Sequence, residues 1–147
     1  MRQQLRVLFV CLGNICRSPL AEAIFRTVAP DMECDSAGTS DWHAGEAPSE
    51  PMQAIARAKG YTMSDIRSRQ LKSEDFRRFD LIIAMDAQNV VNLEAVRPDG
   101  NGTPVKLMTD YIADNGINYV PDPYYTGDYM GAFELIEEAV QRLHADL

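Results

Sequence analysis

A group of residues that could carry out nucleophilic chemistry on an anion stands near the start of the sequence. Residues 11–18 are Cys11-Leu12-Gly13-Asn14-Ile15-Cys16-Arg17-Ser18. A thiolate is a strong nucleophile, and the planar guanidinium of an arginine can hold two oxygens of one phosphate. The backbone N–H groups of a short glycine-containing loop can converge on the same anion. The stretch therefore indicates phosphoryl transfer through a cysteine.

Two secondary-structure elements must position this loop. The largely apolar run at residues 5–10 predicts a buried strand that leads into Cys11. After the loop, Ser18 is the predicted N-cap of a helix and Pro19 suits its first position, and Pro30 ends the helix. The N-terminus of this helix adds positive potential beside the thiol, which favours its reaction as a thiolate.

The remaining sequence alternates between strand and helix patterns. Apolar runs predict strands at residues 32–37, 80–85 and 105–108, and helical spacing predicts helices at 51–59, 87–96 and 129–145. Residues 38–50 and 114–128 are predicted loops. This alternation predicts an α/β fold with one domain over residues 1–147, an open parallel sheet and helices on both faces. Ligands in such folds bind beyond the carboxyl ends of the strands, where Cys11 falls.

Composition limits the partners and the compartment. The chain has 14 lysines and arginines against 22 aspartates and glutamates, a net charge of −8, which argues against nucleic acid and acidic membranes as partners. Positive potential for an anionic substrate must therefore be local, at Arg17 and the backbone amides. No apolar run suits a signal peptide or a membrane span. The three cysteines, at positions 11, 16 and 34, form no secreted disulfide framework, so a reducing, cytoplasmic setting is expected.

Four segments of the chain resemble one enzyme family. The stretch VCLGNICRSP at residues 10–19 resembles the active-site loop of the low-molecular-weight protein tyrosine phosphatases, and VPDPYY at residues 120–125 resembles their general-acid loop. The segments SAGT at 36–39 and AMD at 84–86 also match in order and spacing. The resemblance implies a flavodoxin-like, four-stranded parallel sheet. It also implies a two-step hydrolysis of phosphotyrosine that needs no metal and no other cofactor.

The same resemblance implies three catalytic residues. Cys11 is the expected nucleophile and forms a phosphocysteine intermediate. Arg17 is expected to bind the phosphate and stabilise the transition state. Asp122 is expected to protonate the leaving phenol oxygen and then to activate water in the second step.

Further roles follow from the resemblance for residues around the nucleophile. The expected phosphate-binding loop consists of Leu12, Gly13, Asn14, Ile15, Cys16 and Ser18. Asn14 is expected to hold the loop in shape with support from Ser36, and Ser18 to donate a hydrogen bond to the Cys11 sulfur. Cys16 either forms a reversible disulfide with Cys11 or simply packs the loop.

The substrate cleft and its surroundings complete the predicted site. The resemblance implies that Trp42, Tyr124 and Tyr125 line the cleft, although anchoring their loops is an alternative role. Asp86 either caps the following helix or supports the site. Many members carry a histidine where this chain has Ile66, four residues before a glutamine. His43 and His144 are interpreted as solvated side chains.

Three alternative functions compete with hydrolysis of phosphotyrosine. A thiol-dependent arsenate reductase would need a later cysteine pair, and no cysteine follows Cys34. A non-catalytic phosphotyrosine-binding module would need neither Cys11 nor Asp122, and a phosphocysteine carrier would need no general acid. The expected partners are phosphotyrosine proteins, with a tyrosine kinase as one possibility, and the expected product is inorganic phosphate.

Overall fold

Four parallel strands form the sheet in a computed structural model that describes residues 5–147. They are β1 (Val7–Cys11), β2 (Cys34–Gly38), β3 (Leu81–Ala84) and β4 (Val105–Leu107). Both β2 and β3 pair with β1, and β4 pairs with β3, so the order is β2-β1-β3-β4. Every residue of β1 is buried because this strand lies inside the sheet and is covered on both faces, which explains its apolar sequence.

Within residues 5–147, six α-helices and one 3₁₀ helix connect and cover the strands. The α-helices are α1 (Arg17–Val28), α2 (Glu50–Ala58), α3 (Asp75–Arg78), α4 (Ala87–Glu94), α5 (Pro123–Thr126) and α6 (Tyr129–Asp146). The 3₁₀ helix spans Met108–Asn115. None of the helices within residues 5–147 is long and apolar enough to cross a membrane.

Alternate residues of β1 belong to two separate apolar clusters, one on each face of the sheet. Val7 and Phe9 pack into the larger cluster with α1, α2 and α6. Leu8 and Val10 pack into the smaller one with Phe76 of α3 and residues of α4. The sheet therefore has helices on both faces, and the predicted fold class is confirmed.

The predicted strands and longer helices are present, and their ends differ from the prediction by at most two residues. Two local predictions were wrong, and one short helix was missed. First, α1 begins at Arg17 with Cys16 as its N-cap, so Ser18 lies inside the first turn and does not cap it. Second, residues 114–128 are not one loop, since they contain the end of the 3₁₀ helix and all of α5. The short helix α3 was not predicted.

Gly38 lets the loop after β1 return closely against β2. A Cβ atom at this glycine would lie 2.8 Å from the carbonyl oxygen of Leu12 and 3.1 Å from the carbonyl carbon of Gly13. Any other residue would push the loop away from the sheet. The fold thus fixes the loop at the carboxyl end of β1 through a close backbone approach.

Candidate active site

The loop at residues 11–18 has its carbonyl groups held on the outside. Four of its carbonyl oxygens, those of Cys11, Leu12, Gly13 and Ile15, accept hydrogen bonds of 2.8–3.0 Å from Thr39, Ser40, Ser68 and Ser49. In a trans peptide the next N–H points the opposite way, and no peptide bond within residues 5–147 is cis. The amides that follow these carbonyls therefore point to the inner side of the loop. With the N-terminus of α1, they form a ready site for an anion.

Asn14 holds the loop in a strained conformation. Its φ angle is 56°, and among residues 5–147 it is the one non-glycine residue with a positive φ. Its Nδ2 atom donates to Ser18 Oγ at 2.8 Å and to Ser36 Oγ at 3.0 Å, and its Oδ1 atom accepts from the Arg69 amide at 3.1 Å. These three contacts offset the strain and fix the orientation of the side chain.

The Cys11 sulfur lies at the bottom of this loop. Its residue is only 3% exposed. The amide of Asn14 donates to Sγ at 3.3 Å, and the Ser18 hydroxyl lies 3.0 Å from it. Donors facing the sulfur stabilise its negative form, which is the form that attacks.

Arg17 presents the Nε and Nη2 edge of its guanidinium to the site. On the other side Nη1 donates to Asp86 Oδ2 at 2.8 Å and to the Val120 carbonyl at 2.9 Å. Within residues 5–147, Nη2 donates to Asp122 Oδ2 at 3.3 Å, and Nε is buried without a hydrogen-bond partner. A buried donor without a partner is costly unless a ligand satisfies it. Nε and Nη2 share one edge of the fork and can hold two oxygens of a tetrahedral anion.

The Arg17 guanidinium stays positively charged despite its burial. Burial by itself would lower the pKa of the guanidinium, but the charges of Cys11, Asp122 and Asp86 raise the pKa above its ordinary value. The side chain is 2% exposed, so its interactions with these groups are weakly screened by solvent.

Asp86 fulfils both roles that the sequence left open. Its Oδ1 atom accepts from the Asn89 amide at 2.8 Å and caps α4, and its Oδ2 atom accepts from Arg17. One carboxylate thus connects the start of α4 to the guanidinium and restricts its rotation.

Asp122 is the N-cap of α5 and lies beside the guanidinium. Its Oδ1 atom accepts from the Tyr124 amide at 3.0 Å, while Oδ2 faces Arg17 Nη2. The preceding segment is anchored because the Val120 amide donates to the Met85 carbonyl at 2.9 Å. A carboxyl group separated from Cys11 by more than a hundred residues therefore opens into the same pocket.

The pocket brings most of the predicted loop and cleft residues together, although Asn14 and Ser18 do not line it. Its volume is about 130 Å³, and its lining consists of Cys11, Leu12, Gly13, Ile15, Cys16, Arg17, Trp42, His43, Asp122, Tyr124 and Tyr125. The aromatic side chains form its outer wall, because Trp42 is 67% exposed and Tyr125 is 69% exposed. Exposed rings at a pocket mouth are available to stack on a ligand.

His43 was missed by the sequence interpretation. It is not simply solvated, since it lines the pocket and its ring centroid lies 5.9 Å from that of Tyr124, edge to face. Its Nδ1 atom is 3.0 Å from Glu46 Oε2. The one available sequence signal was its position next to Trp42 in the loop that follows β2.

Glu22 was also missed and lies behind the loop. Its residue is 9% exposed, and its Oε1 atom accepts from the Ser36 hydroxyl at 2.6 Å. Burial raises the pKa of this carboxyl to about 7. Ile66, which the sequence singled out in place of a histidine, is 6% exposed in the larger apolar cluster and offers no polar side-chain atom to Ser36 or Asn14.

Cys16 and Cys34 differ from Cys11 in their surroundings, although all three are free thiols. Burial raises the pKa of Cys16 to about 11 and that of Cys34 to about 12. Both are therefore neutral thiols at physiological pH. Within residues 5–147 no three His, Cys, Asp or Glu side chains are grouped so that they could hold a metal ion.

Comparisons with known proteins agree in pointing to one family. The model of the family described as low molecular weight phosphotyrosine protein phosphatase matches residues 6–147. The low molecular weight protein-tyrosine-phosphatase YfkJ of Bacillus subtilis is 43% identical over 147 residues, covering 96% of this chain and 94% of the relative.

Solved structures give the same result. The crystal structure of Bacillus subtilis YfkJ superposes with a TM-score of 0.93 over 99% of this chain and 95% of its own. A protein tyrosine phosphatase from Entamoeba histolytica, 35% identical, has a TM-score of 0.88 over 97% and 96% of the two chains. A Drosophila arginine phosphatase, 32% identical, has a TM-score of 0.89 over 95% and 96%.

Proposed function

The chain belongs to the low molecular weight phosphotyrosine protein phosphatase family, and from this premise we propose that it hydrolyses phosphotyrosine in proteins through a phosphocysteine intermediate on Cys11. One observation carries the proposal. Cys11, Arg17 and Asp122 line a single pocket, and the Arg17 guanidinium holds a buried Nε atom without a partner among residues 5–147. A nucleophile, a holder for phosphate oxygens and a proton donor are what the cleavage of a phosphate ester requires.

In the first step the thiolate of Cys11 attacks phosphorus. The S–P bond forms while the bond from phosphorus to the phenol oxygen breaks, and Asp122 gives its proton to that oxygen. Nε and Nη2 of Arg17 hold two equatorial oxygens, and the inner amides of the loop neutralise the remaining charge. The phosphate displaces the 3.3 Å contact between Arg17 and Asp122, which releases the carboxyl for proton transfer.

In the second step water attacks the phosphocysteine. The carboxylate of Asp122 takes a proton from this water, the S–P bond breaks and inorganic phosphate leaves. The sulfur departs as a thiolate, and the Ser18 hydroxyl 3.0 Å away stabilises the charge that returns to it.

The aromatic wall supports an aryl ester as substrate. Trp42, Tyr124 and Tyr125 offer ring faces at the mouth, and Ile15 adds an apolar surface near the loop. A phenyl ring that stacks between such groups gains about 1 kcal/mol for each good ring contact. The phenol ring of phosphotyrosine can stack on this wall, whereas phosphoserine has no ring to do so.

A panel of matched phosphopeptides tests the substrate class. Peptides of one sequence would carry phosphotyrosine, phosphoserine or phosphoarginine at the same position, and release of inorganic phosphate would be followed with the reduced protein. We expect kcat/KM for phosphotyrosine to exceed the others by about 30-fold, because two ring contacts contribute about 2 kcal/mol. The phosphoarginine arm is included because one structural relative is an arginine phosphatase. A preference for either of the other peptides would contradict the assignment.

The Asp122→Asn variant tests the general acid. Its amide oxygen can still accept from the Tyr124 amide, so the cap of α5 is retained, while the transferable proton and the ion pair with Arg17 are lost. We expect kcat/KM for phenyl phosphate, whose phenol is a poor leaving group, to fall by about 100-fold. We expect kcat/KM for p-nitrophenyl phosphate, whose nitrophenol leaves easily, to fall by much less. Asp128→Asn is the matched control, because Asp128 also caps a helix by accepting from a backbone amide, that of Gly131 at 2.9 Å. Equal losses for both esters would remove Asp122 from the acid role.

Four further expectations remain part of the proposal. The chain acts as a single phosphatase domain over residues 1–147, in a reducing compartment such as the cytoplasm, where three free thiols suit the conditions. Its partners are phosphotyrosine proteins, with a tyrosine kinase as one possibility. Cys16, a buried neutral thiol in the pocket lining, is the proposed partner of Cys11 in a reversible disulfide.

A further inference from the structure

Hydrogen bonds connect Glu22 to the loop that holds the nucleophile. Glu22 Oε1 accepts from Ser36 Oγ at 2.6 Å, and Ser36 Oγ accepts from the side-chain Nδ2 of Asn14 at 3.0 Å. The same Nδ2 donates to Ser18 Oγ, which lies 3.0 Å from Cys11 Sγ, and the backbone N–H of Asn14 donates to Sγ at 3.3 Å. All five residues are at most 9% exposed. Solvent therefore does not compete for these bonds, and each donor depends on its protein partner.

The direction of these hydrogen bonds makes the orientation of the Asn14 side chain depend on Glu22. Because Ser36 Oγ accepts from Asn14 Nδ2, the Ser36 hydroxyl proton is donated to Glu22. A carboxylate accepts such a proton about twice as strongly as a neutral group does. The ionised form of Glu22 thus fixes the Ser36 hydroxyl, and through it the side chain of Asn14, more firmly than the protonated form.

The surroundings of Glu22 make both forms accessible. Burial is the main reason for its raised pKa, and the charges of Asp35 on β2 and of Asp65 in the segment after α2 act in the same direction. Among the described residues 5–147, the cation that lowers the pKa of Glu22 is Arg26 on α1, 4.0 Å away, which also pairs with Asp65 at 2.6 Å. Cys34 of β2 donates to the backbone carbonyl of Glu22 at 3.8 Å. Glu22 therefore exchanges its proton near pH 7.

We propose that Glu22 is a positioning residue for the nucleophile, whose carboxylate orients Asn14 through Ser36 and thereby makes Cys11 more reactive when it ionises. The proposal rests on the proposed function in one respect, that Cys11 is the attacking group. It adds a residue of α1 that does not line the pocket. It also makes the nucleophile sensitive to pH through a group other than the thiol and the general acid.

Alkylation of Cys11 tests this proposal without requiring turnover. The rate of modification by iodoacetamide would be measured by mass spectrometry of the Cys11 peptide, from mildly acidic to mildly alkaline pH. Cys16 and Cys34 react slowly in this range, because burial raises their pKa values to about 11 and about 12. For the wild type we expect the rate to rise about threefold through an inflection near pH 7.

The Glu22→Gln variant removes the titration but keeps an acceptor for Ser36. We expect it to lose the inflection near pH 7 and to react about threefold more slowly than the wild type above that pH. Glu137→Gln is the matched control, since Glu137 accepts from the Tyr61 hydroxyl at 2.7 Å outside the pocket lining. It is expected to retain the wild-type profile. A Glu22→Gln profile identical to that of the wild type would overturn the proposal.

The Ser36→Ala variant separates a hydrogen-bonded route from a simple effect of charge. In the Ser36→Ala background, Glu22→Gln should cause no further change in the alkylation rate of Cys11. A change in this rate that persists there would show that Glu22 acts without Ser36. If Glu22→Gln did not fold, the absence of an inflection near pH 7 in the wild-type alkylation profile would suffice to overturn the proposal. Failure of the phosphopeptide assay with an intact alkylation profile would instead contradict the proposed function alone.

Discussion

Replacing Cys11 by serine is expected to abolish hydrolysis of aryl phosphates while leaving inorganic phosphate bound. The serine hydroxyl is neutral, and the groups around it, the Asn14 amide and the Ser18 hydroxyl, supply no base to activate it. Loss of the nucleophile should lower kcat by about 10⁵-fold, comparable to its loss in other covalent enzymes. The Arg17 fork and the loop amides are unchanged, so the Kd for phosphate should stay within a few-fold of the wild type. Removing the negative sulfur can only favour the anion.

Two measurements check this expectation. Release of p-nitrophenol gives kcat, and calorimetry gives the Kd for phosphate. Acid quenching during turnover of a ³²P-labelled phosphotyrosine peptide should leave label on Cys11 in the wild type and none in the variant. Cys34→Ser is the control, because Cys34 lies outside the pocket and should retain turnover. Label on any residue other than Cys11, or steady turnover by Cys11→Ser, would contradict covalent catalysis by this thiol.

The strand, loop and helix around Cys11 could be predicted because their signals are local. A strand covered on both faces must be apolar at every position, and the buried residues of β1 satisfy this condition. The helix α1 follows at once, so the position of the thiol at the carboxyl end of β1 depends on sequence neighbours alone. Its relation to Asp122 could not be derived from local signals, and only the resemblance of the 120–125 segment suggested it.

Ser18 shows where a local rule fails. An N-cap serine normally accepts from an amide in the first helical turn. Here its hydroxyl lies 3.0 Å from Cys11 Sγ and accepts from Asn14 Nδ2 at 2.8 Å, so it serves the active-site loop. The helix therefore begins two residues earlier than predicted, at Arg17, without a side-chain cap. Polar contacts within the loop, which no propensity describes, outweigh the capping preference.

Glu22 and His43 could not be assigned because their partners come from other elements. A glutamate in a helix is usually solvated, and only the return of the chain along β2 brings Ser36 to Glu22. Likewise, His43 meets Tyr124 only because β2 and α5 end at the same side of the sheet. The short helices α3 and α5, each of four residues, lack the periodicity that would reveal them.

The Arg17→Lys variant is expected to lose about 10³-fold in kcat although it retains a positive charge. The guanidinium uses Nη1 for Asp86 and the Val120 carbonyl, and keeps Nε and Nη2 for the phosphate. A single ammonium group cannot bind Asp86 and the phosphate at the same time, so either Asp86 or the phosphate in the transition state loses its hydrogen-bond donor. Arginine groups that stabilise phosphoryl transfer are worth about 10³-fold or more.

Arg97→Lys is the matched control for this exchange. Arg97 also binds a carboxylate with two nitrogens: Nε donates to Glu94 Oε1 at 2.6 Å and Nη2 donates to Glu94 Oε2 at 2.8 Å. Because Arg97 lies outside the pocket, the Arg97→Lys variant should retain wild-type kcat. The Arg17→Lys protein must first be shown to be folded, because breaking a buried ion pair costs about 3 kcal/mol or more. In the folded variant the Kd for phosphate should rise together with the fall in kcat, since the same two donors serve ground state and transition state. A folded Arg17→Lys enzyme within tenfold of the wild type would mean that charge alone, rather than the geometry of the fork, supports catalysis.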